Sequence, residues 1–140
     1  MSKKAFFFDI DETLLSWITG EVPESAIYAL RELNKKGHAT FINTGRMFST
    51  VQEIIKKLPV NGFVCGCGTN IYCDGKEVMY TPSTHEITME ILEAARANDL
   101  DFFFESKNGT AFDSTRRLKD PEAIALYNGL MEGPYHVIED

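Results

Sequence analysis

No apolar stretch in the chain approaches the roughly 18 residues that a membrane-crossing helix needs, so nothing here predicts a membrane partner. Basic residues are outnumbered: 14 Lys and Arg stand against 21 Asp and Glu, a net charge of −7. That balance disfavours nucleic-acid binding, which calls for a basic face. Cysteine is sparse and odd in number, Cys65, Cys67 and Cys73, which argues against a disulfide framework. The Cys65-Gly66-Cys67 spacing invites a metal. No histidine or further cysteine pair completes the four-ligand set that structural zinc takes, however, and reduced thiols are the simpler reading. His38, His85 and His136 are scattered and read as ordinary histidines. The basic start Met1-Ser2-Lys3-Lys4 leads into an apolar run that ends at Asp9, too short for a signal peptide, so a cytoplasmic protein is expected.

What the chain does have is concentrated in residues 5–13, Ala-Phe-Phe-Phe-Asp-Ile-Asp-Glu-Thr. An unbroken apolar run of this kind suits a strand buried on both faces of a parallel sheet. Ligand sites in open α/β sheets lie just beyond the carboxyl ends of such strands. Two carboxylates placed there, Asp9 and Asp11, are costly unless a cation or a reaction uses them.

The rest of the first half alternates strand and helix. A first strand over 4–9 leads to a loop over 10–22 that holds the only tryptophan, Trp17. A helix starts near Pro23, a favoured first-turn residue. It carries Ala26, Ile27, Leu30 and Leu33 on one face and stops at Lys35-Lys36-Gly37. A second strand over 39–43 runs into Thr44-Gly45-Arg46. A second helix is expected there, with Phe48, Val51, Ile55 and Leu58 as its apolar stripe and Pro59 as its end. A third strand over 62–66 and a hairpin, 70–73 with 77–81, turned by Asp74-Gly75 follow. The β-α-β-α-β order predicts a doubly wound, Rossmann-like α/β sheet. From about residue 83 the texture becomes α+β: a helix over 85–98, strands over 101–105 and 110–113 about an Asn108-Gly109 turn, a helix near 121–131 and a short strand near 135–138. Phe102–Phe104 are expected to pack this second core.

Thr44-Gly45-Arg46 is a second chemical signal. A hydroxyl, a flexible glycine and a guanidinium at a helix start suit an anion, because helix N-termini present unpaired N–H groups. Thr44 would equally serve as a plain N-cap. Beside an acidic pair at the same sheet edge, the combination suggests a phosphate with a divalent cation.

Asp9-x-Asp11-x-Thr13 after an apolar first strand, with Thr44-Gly45-Arg46 after the second, resembles the first two motifs of the haloacid dehalogenase-like phosphatases. The likeness is greatest to the Cof-type branch, which inserts a large α/β cap after the third strand. The resemblance implies an incomplete parallel core over 1–82 and the opening part of an α+β cap over 83–140. It implies a Mg²⁺-dependent phosphoric monoester hydrolase acting on a small phosphorylated metabolite. It gives Asp9 the role of nucleophile and Asp11 that of acid and base. Mg²⁺ would be held by the Asp9 carboxylate and the Asp11 backbone carbonyl. Thr44 would bind the phosphoryl oxygens, with N–H groups near Ile10 and Gly45 and the Arg46 side chain helping. A catalytically inactive phosphate-binding protein and a phosphomutase stay open as alternatives. A phospho-acceptor signalling domain is disfavoured, because the third strand ends in Val64-Cys65-Gly66-Cys67 with no carboxylate.

The sequence departs from that pattern in three places. Glu12 stands where the branch usually has glycine and would add negative charge at the catalytic loop. Cys67-Gly68-Thr69-Asn70 replaces an Asn-Gly-Ala-like turn. The lysine and acidic motif that the family places after its cap have no counterpart, so the chain is expected to be an N-terminal part, weakly active alone. The first strand would then lie at a sheet edge, and an exposed apolar edge invites self-association.

Overall fold

The computed structural model describes residues 2–113, 118–133 and 137–138. The chain divides into two compact units, Met1–Thr81 and Pro82–Asp140. The first holds a five-stranded sheet of β1 (Ala5–Phe8), β2 (Ala39–Asn43), β3 (Gly62–Cys65), β4 (Asn70–Cys73) and β5 (Lys76–Tyr80), in that spatial order. β1, β2 and β3 run parallel, with Phe7 opposite Phe41 and Ile42 opposite Phe63. β4 and β5 close the sheet as an antiparallel hairpin about Asp74-Gly75. The carboxyl ends of the three parallel strands therefore share one edge of the sheet.

The local sequence accounts for these elements. In β2 the alternation Thr40, Ile42 inward against Phe41, Asn43 outward follows the two-residue strand period. α1 (Glu24–Lys35) turns Leu30 fully inward with Ala26, Ile27 and Leu33 half-buried. Its end is a Schellman motif: Gly37 at φ 79° and His38 donate their N–H groups to the carbonyls of Asn34 and Leu33. The core gathers Leu30, Ile42, Val51, Ile55 and Phe63, together with Ile10, Leu14, Leu15 and Val22 from the 10–22 loop. That loop is thus anchored by apolar burial, although it carries no regular structure of its own.

Two expectations are corrected. The first strand is not buried on both faces: β1 forms one edge of the sheet, and Phe7 is 57% exposed, stacked on Phe41 at 5.2 Å. The edge position is the one expected of an incomplete core, and what is corrected is the covering of its faces, because the Phe7 side is open to solvent. The second helix does not start after Thr44-Gly45-Arg46. The segment instead makes a single 3₁₀ turn, Phe48–Thr50, an extended step, and a four-residue α2 (Glu53–Lys56). The Thr50 hydroxyl donates to the Met47 carbonyl, and side-chain competition of this kind breaks helices. Val51, Ile55 and Leu58 still reach the core.

The second unit contains α3 (His85–Ala97), the antiparallel pair β6 (Phe103–Ser106) and β7 (Gly109–Phe112), α4 (Pro121–Glu132) and β8 (Val137–Ile138), which pairs parallel with β7. α3 is capped by Thr84, whose hydroxyl accepts the Ile87 N–H at 3.3 Å, and α4 by Asp120 ahead of Pro121. The turn between β6 and β7 is Lys107-Asn108, one residue earlier than expected, and Gly109 begins β7. Phe102 and Phe104 are half-buried and pack edge to face, while Phe103 is exposed. Arg96 on α3 grips Asp113 after β7 with two bonds of 2.8 Å. His136 and the ends of the 135–138 strand fall on or beside residues outside those described, as does Asp140. No helix among the described residues is long and apolar enough to cross a membrane.

Gly62 is the tightest backbone approach in the first unit. A Cβ there would sit 2.2 Å from the Tyr72 carbonyl oxygen of β4. Replacing Gly62 with alanine must force β3 and β4 apart, and urea denaturation should show a loss of about 3 kcal/mol.

Candidate active site

Asp9 follows β1 directly and is exposed, whereas Ile10 is fully buried. The Ile10 carbonyl accepts the N–H groups of Thr13, Leu14 and Leu15 at 3.2, 2.9 and 2.9 Å. This folds the chain back tightly enough for a bridge between Asp11 and Leu15. The turn needs a left-handed residue, and Glu12 supplies it at φ 58°. That conformation costs a non-glycine residue on the order of 1 kcal/mol. Part of the strain is offset because the Glu12 carboxylate accepts the Trp17 backbone N–H at 3.0 Å. The structure thus gives a conformational reason for glycine at this position, and it ties the extra charge of Glu12 into the loop.

The end of β2 is laced to the end of β3. Thr44 donates its N–H to the Val64 carbonyl at 2.9 Å and accepts Cys67 N–H on its own carbonyl at 3.3 Å. Gly66 donates its N–H to the Arg46 carbonyl at 2.8 Å. The Thr44 side chain is buried, and its Oγ1 accepts the Arg46 N–H at 3.2 Å. This is the local capping role that the residue type favours. A hydroxyl that accepts in this way keeps its own proton to donate. Among the described residues no long helix begins here, so the expected helix-dipole cradle does not form.

A side-chain ion pair joins the two strand ends. Arg46 forks onto Asp11, with Nη2 to Oδ1 at 2.9 Å and Nε to Oδ2 at 3.1 Å. The hydrogen bond from Arg46 holds the Asp11 carboxyl below its usual range, against the opposing effect of burial, and a hydrogen bond from the Trp17 side chain adds to the lowering. Asp11 therefore stands as a carboxylate gripped by its neighbours. Of the residues singled out by sequence, Asp11 and Arg46 are in direct contact, and Ile10 and Thr44 act as buried anchors beside them.

A third loop, the turn in which Cys67-Gly68-Thr69-Asn70 replaces the Asn-Gly-Ala-like pattern, borders the site. Gly66, Cys67 and Gly68 all have positive φ, 56°, 53° and 95°, and Cys67 is exposed. A Cβ on Gly45 would lie 3.7 Å from the Cys67 sulfur, so this turn borders the Thr44-Gly45-Arg46 loop. The two glycines flanking Cys67 suit these backbone angles. Cys65, by contrast, is buried, and desolvation pushes its thiol up to about 12, with Lys56 opposing weakly. That is far from the thiolate a metal requires. Among the described residues, no group of three or more His, Cys, Asp or Glu side chains could hold a metal.

The ion pair has a signed pH dependence. The folded Asp11 carboxyl lies below its ordinary value of 3.8. Its stabilisation is therefore full above that value and is lost as pH falls through the folded one. Arg46→Met should cost about 1 kcal/mol at neutral pH. The gap to wild type in urea midpoints should close as the pH is lowered below the ordinary carboxylate value and through the folded one.

Comparison with known proteins bears on what such a site does. Residues 6–131 match the family model of the haloacid dehalogenase-like hydrolases. YkrA of Bacillus subtilis (strain 168), named as a candidate phosphatase, is 28% identical over 95 residues, 68% of this chain and 37% of YkrA. The structure of BT1666 from Bacteroides thetaiotaomicron, a phosphatase of the same superfamily, superposes with a TM-score of 0.76 at 27% identity, over 100% of this chain and 50% of that one. The subclass IIB sugar phosphatase BT4131 shares the fold, with a TM-score of 0.77 at 20% identity over 99% of this chain and 53% of that one. The chain thus spans about half or less of the length of these relatives. With the family model covering nearly all of its residues, this chain belongs to the haloacid dehalogenase-like hydrolases.

Proposed function

We propose that this chain is the N-terminal part of a Cof-type, Mg²⁺-dependent phosphatase that hydrolyses a small phosphorylated metabolite through an aspartyl-phosphate. The observation that carries the reading is the pairing of an exposed Asp9 with an Asp11 fixed by Arg46, at the shared edge of three parallel strands. The Asp9 carboxylate attacks phosphorus, forming an O–P bond as the ester P–O bond breaks. Asp11 gives a proton to the departing alkoxide. It then takes one from the water that attacks phosphorus and releases Asp9. For the first of these steps Asp11 must carry a proton, which the Arg46 grip opposes. An arriving phosphate that draws the guanidinium to itself relieves that opposition. Thr44 Oγ1 donates to a phosphoryl oxygen while still accepting from Arg46 N–H, and loop N–H groups near Ile10 and Gly45 add to the cradle.

The donor set fits the metal that the family uses. The turn's hydrogen bonds run to the Ile10 and Leu15 carbonyls and leave that of Asp11 out. Together with the exposed Asp9 carboxylate it offers two hard oxygens, suited to an ion that keeps several waters. When bound there, Mg²⁺ would offset the repulsion between an anionic nucleophile and an anionic phosphate. The second unit is read as the opening part of the cap, and the three free cysteines suit a reducing cytoplasm.

In protein expressed from the whole reading frame, Asp9→Asn should lower kcat for phosphate release by about 10⁴-fold or more. EDTA should abolish release, and added Mg²⁺ should restore it. Equal release from Asp9→Asn and wild type would remove Asp9 from this role. Transfer to an added sugar in place of release would favour a mutase. We propose in addition that the 140-residue chain by itself self-associates through the β1 edge, where Phe7 is 57% exposed. Phe7→Lys should shift its sedimentation toward monomer.

A further inference from the structure

The loop between β1 and α1 carries one large side chain that the reaction proposed above does not use. Trp17 is 73% exposed, and Ile18 beside it is open as well. Single exposed apolar residues are common on protein surfaces, but this one is held in place. Leu15 and Val22, both buried in the core, pin the two ends of its segment. Between them Ser16 N–H donates to the Glu21 carbonyl at 3.1 Å, and Gly20 N–H to the Ser16 carbonyl at 2.8 Å. Ser16 Oγ accepts the N–H groups of Ile18 and Thr19 at 3.2 and 3.4 Å. The Trp17 N–H is itself bound by the Glu12 carboxylate at 3.0 Å. The backbone that carries the indole is therefore fixed, next to the turn that carries Asp11.

The indole is tied to the candidate site as well. The Trp17 side chain hydrogen-bonds the Asp11 carboxyl. An indole has a single donor, its Nε1–H, and no acceptor. That bond occupies its polar edge, and the exposure of the residue leaves ring face open for apolar contact. In the proposed reaction Asp11 serves the oxygen of the departing alcohol. A ring tied to Asp11 therefore stands beside the first carbons of that alcohol, whereas the phosphoryl oxygens belong to Thr44 and the loop N–H groups. An aromatic face in that place favours an alcohol with a flat apolar face of its own. The C–H bonds on one side of a sugar ring make such a face, and an open polyol chain does not. A nucleotide base could stack on indole too, but its ribose stands between the base and the ester oxygen. The ring nearest the reacting bond is the sugar in either case.

We propose, resting on the phosphatase reading, that Trp17 is a specificity-determining residue whose indole face receives the ring of a cyclic sugar phosphate in preference to an open-chain ester. The test compares glucose-6-phosphate with sorbitol-6-phosphate, which share their carbon count and primary ester and differ in the ring. Trp17 is the only tryptophan of the 140-residue chain, so its emission reads binding without turnover. Glucose-6-phosphate should shift that emission saturably, and sorbitol-6-phosphate should bind about fivefold more weakly. In protein expressed from the whole reading frame, Trp17→Ala should lower kcat/KM for glucose-6-phosphate by about fivefold or more, mainly through KM. It should change the value for sorbitol-6-phosphate by less than about twofold. Trp17→Phe keeps an aromatic face without the N–H to Asp11 and should retain most of the preference. The proposal is overturned if the emission does not distinguish the two esters, or if Trp17→Ala lowers both values alike. Trp17→Phe losing the preference as fully as Trp17→Ala would also overturn it, since the indole would then act through Asp11. Full phosphate release by Asp9→Asn, with an emission that still selects the ring, would instead overturn the aspartyl-phosphate reading and leave the indole platform standing.

Discussion

The candidate site depends on the burial of one residue, Ile10. Its side chain is fully enclosed in the core, an anchor on the order of 2–3 kcal/mol. Its carbonyl collects three N–H groups from the residues that follow. With Ile10 pinned inward, Asp9 is left in solvent at the strand end, and Asp11 is brought to where Arg46 can grip it. Two carboxylates separated by one residue thus acquire different surroundings from a single apolar contact. Different surroundings for two acids are what a division of labour between nucleophile and proton donor requires.

The grip on Asp11 has a second consequence. Arg46 lies in a loop whose own backbone is bonded to the turn after β3, through Thr44 to Cys67 and Gly66 to Arg46. The three strand ends are therefore held by a continuous run of hydrogen bonds, without a long helix to organise them. The positive φ values of Glu12, Gly66, Cys67 and Gly68 are the conformational cost of such tight turns. β1 shows the opposite condition. Its inner edge is paired with β2, its outer edge has no strand beside it among the described residues, and Phe7 is exposed on one of its faces.

Much of the fold was legible in the chain. The five residues of β2 show their alternation, Gly37 announces the end of α1, and Asp74-Gly75 announces the hairpin. These are local signals, set by side-chain period and by the few residues that accept a positive φ. Residues 44–58 were misread for a reason equally local. Phe48, Val51, Ile55 and Leu58 keep helical spacing, but the Thr50 hydroxyl competes for the backbone and the helix shrinks to Glu53–Lys56. The apolar side chains reach the core by another backbone path.

The chain alone determined which chemistry is available: two acids after an apolar strand, a hydroxyl and a guanidinium after the next, and a strand order that must bring both to one edge. Composition and spacing carry that information because residue type and strand period are properties of the chain itself. Only the tertiary structure decided how those groups are used at rest. It placed Arg46 on Asp11 in place of leaving both free, turned the Glu12 carboxylate onto Trp17 N–H, and left the Phe7 side of β1 open. Such outcomes depend on distances between residues about 35 positions apart in sequence and on how many neighbours a strand has. No local pattern encodes either quantity.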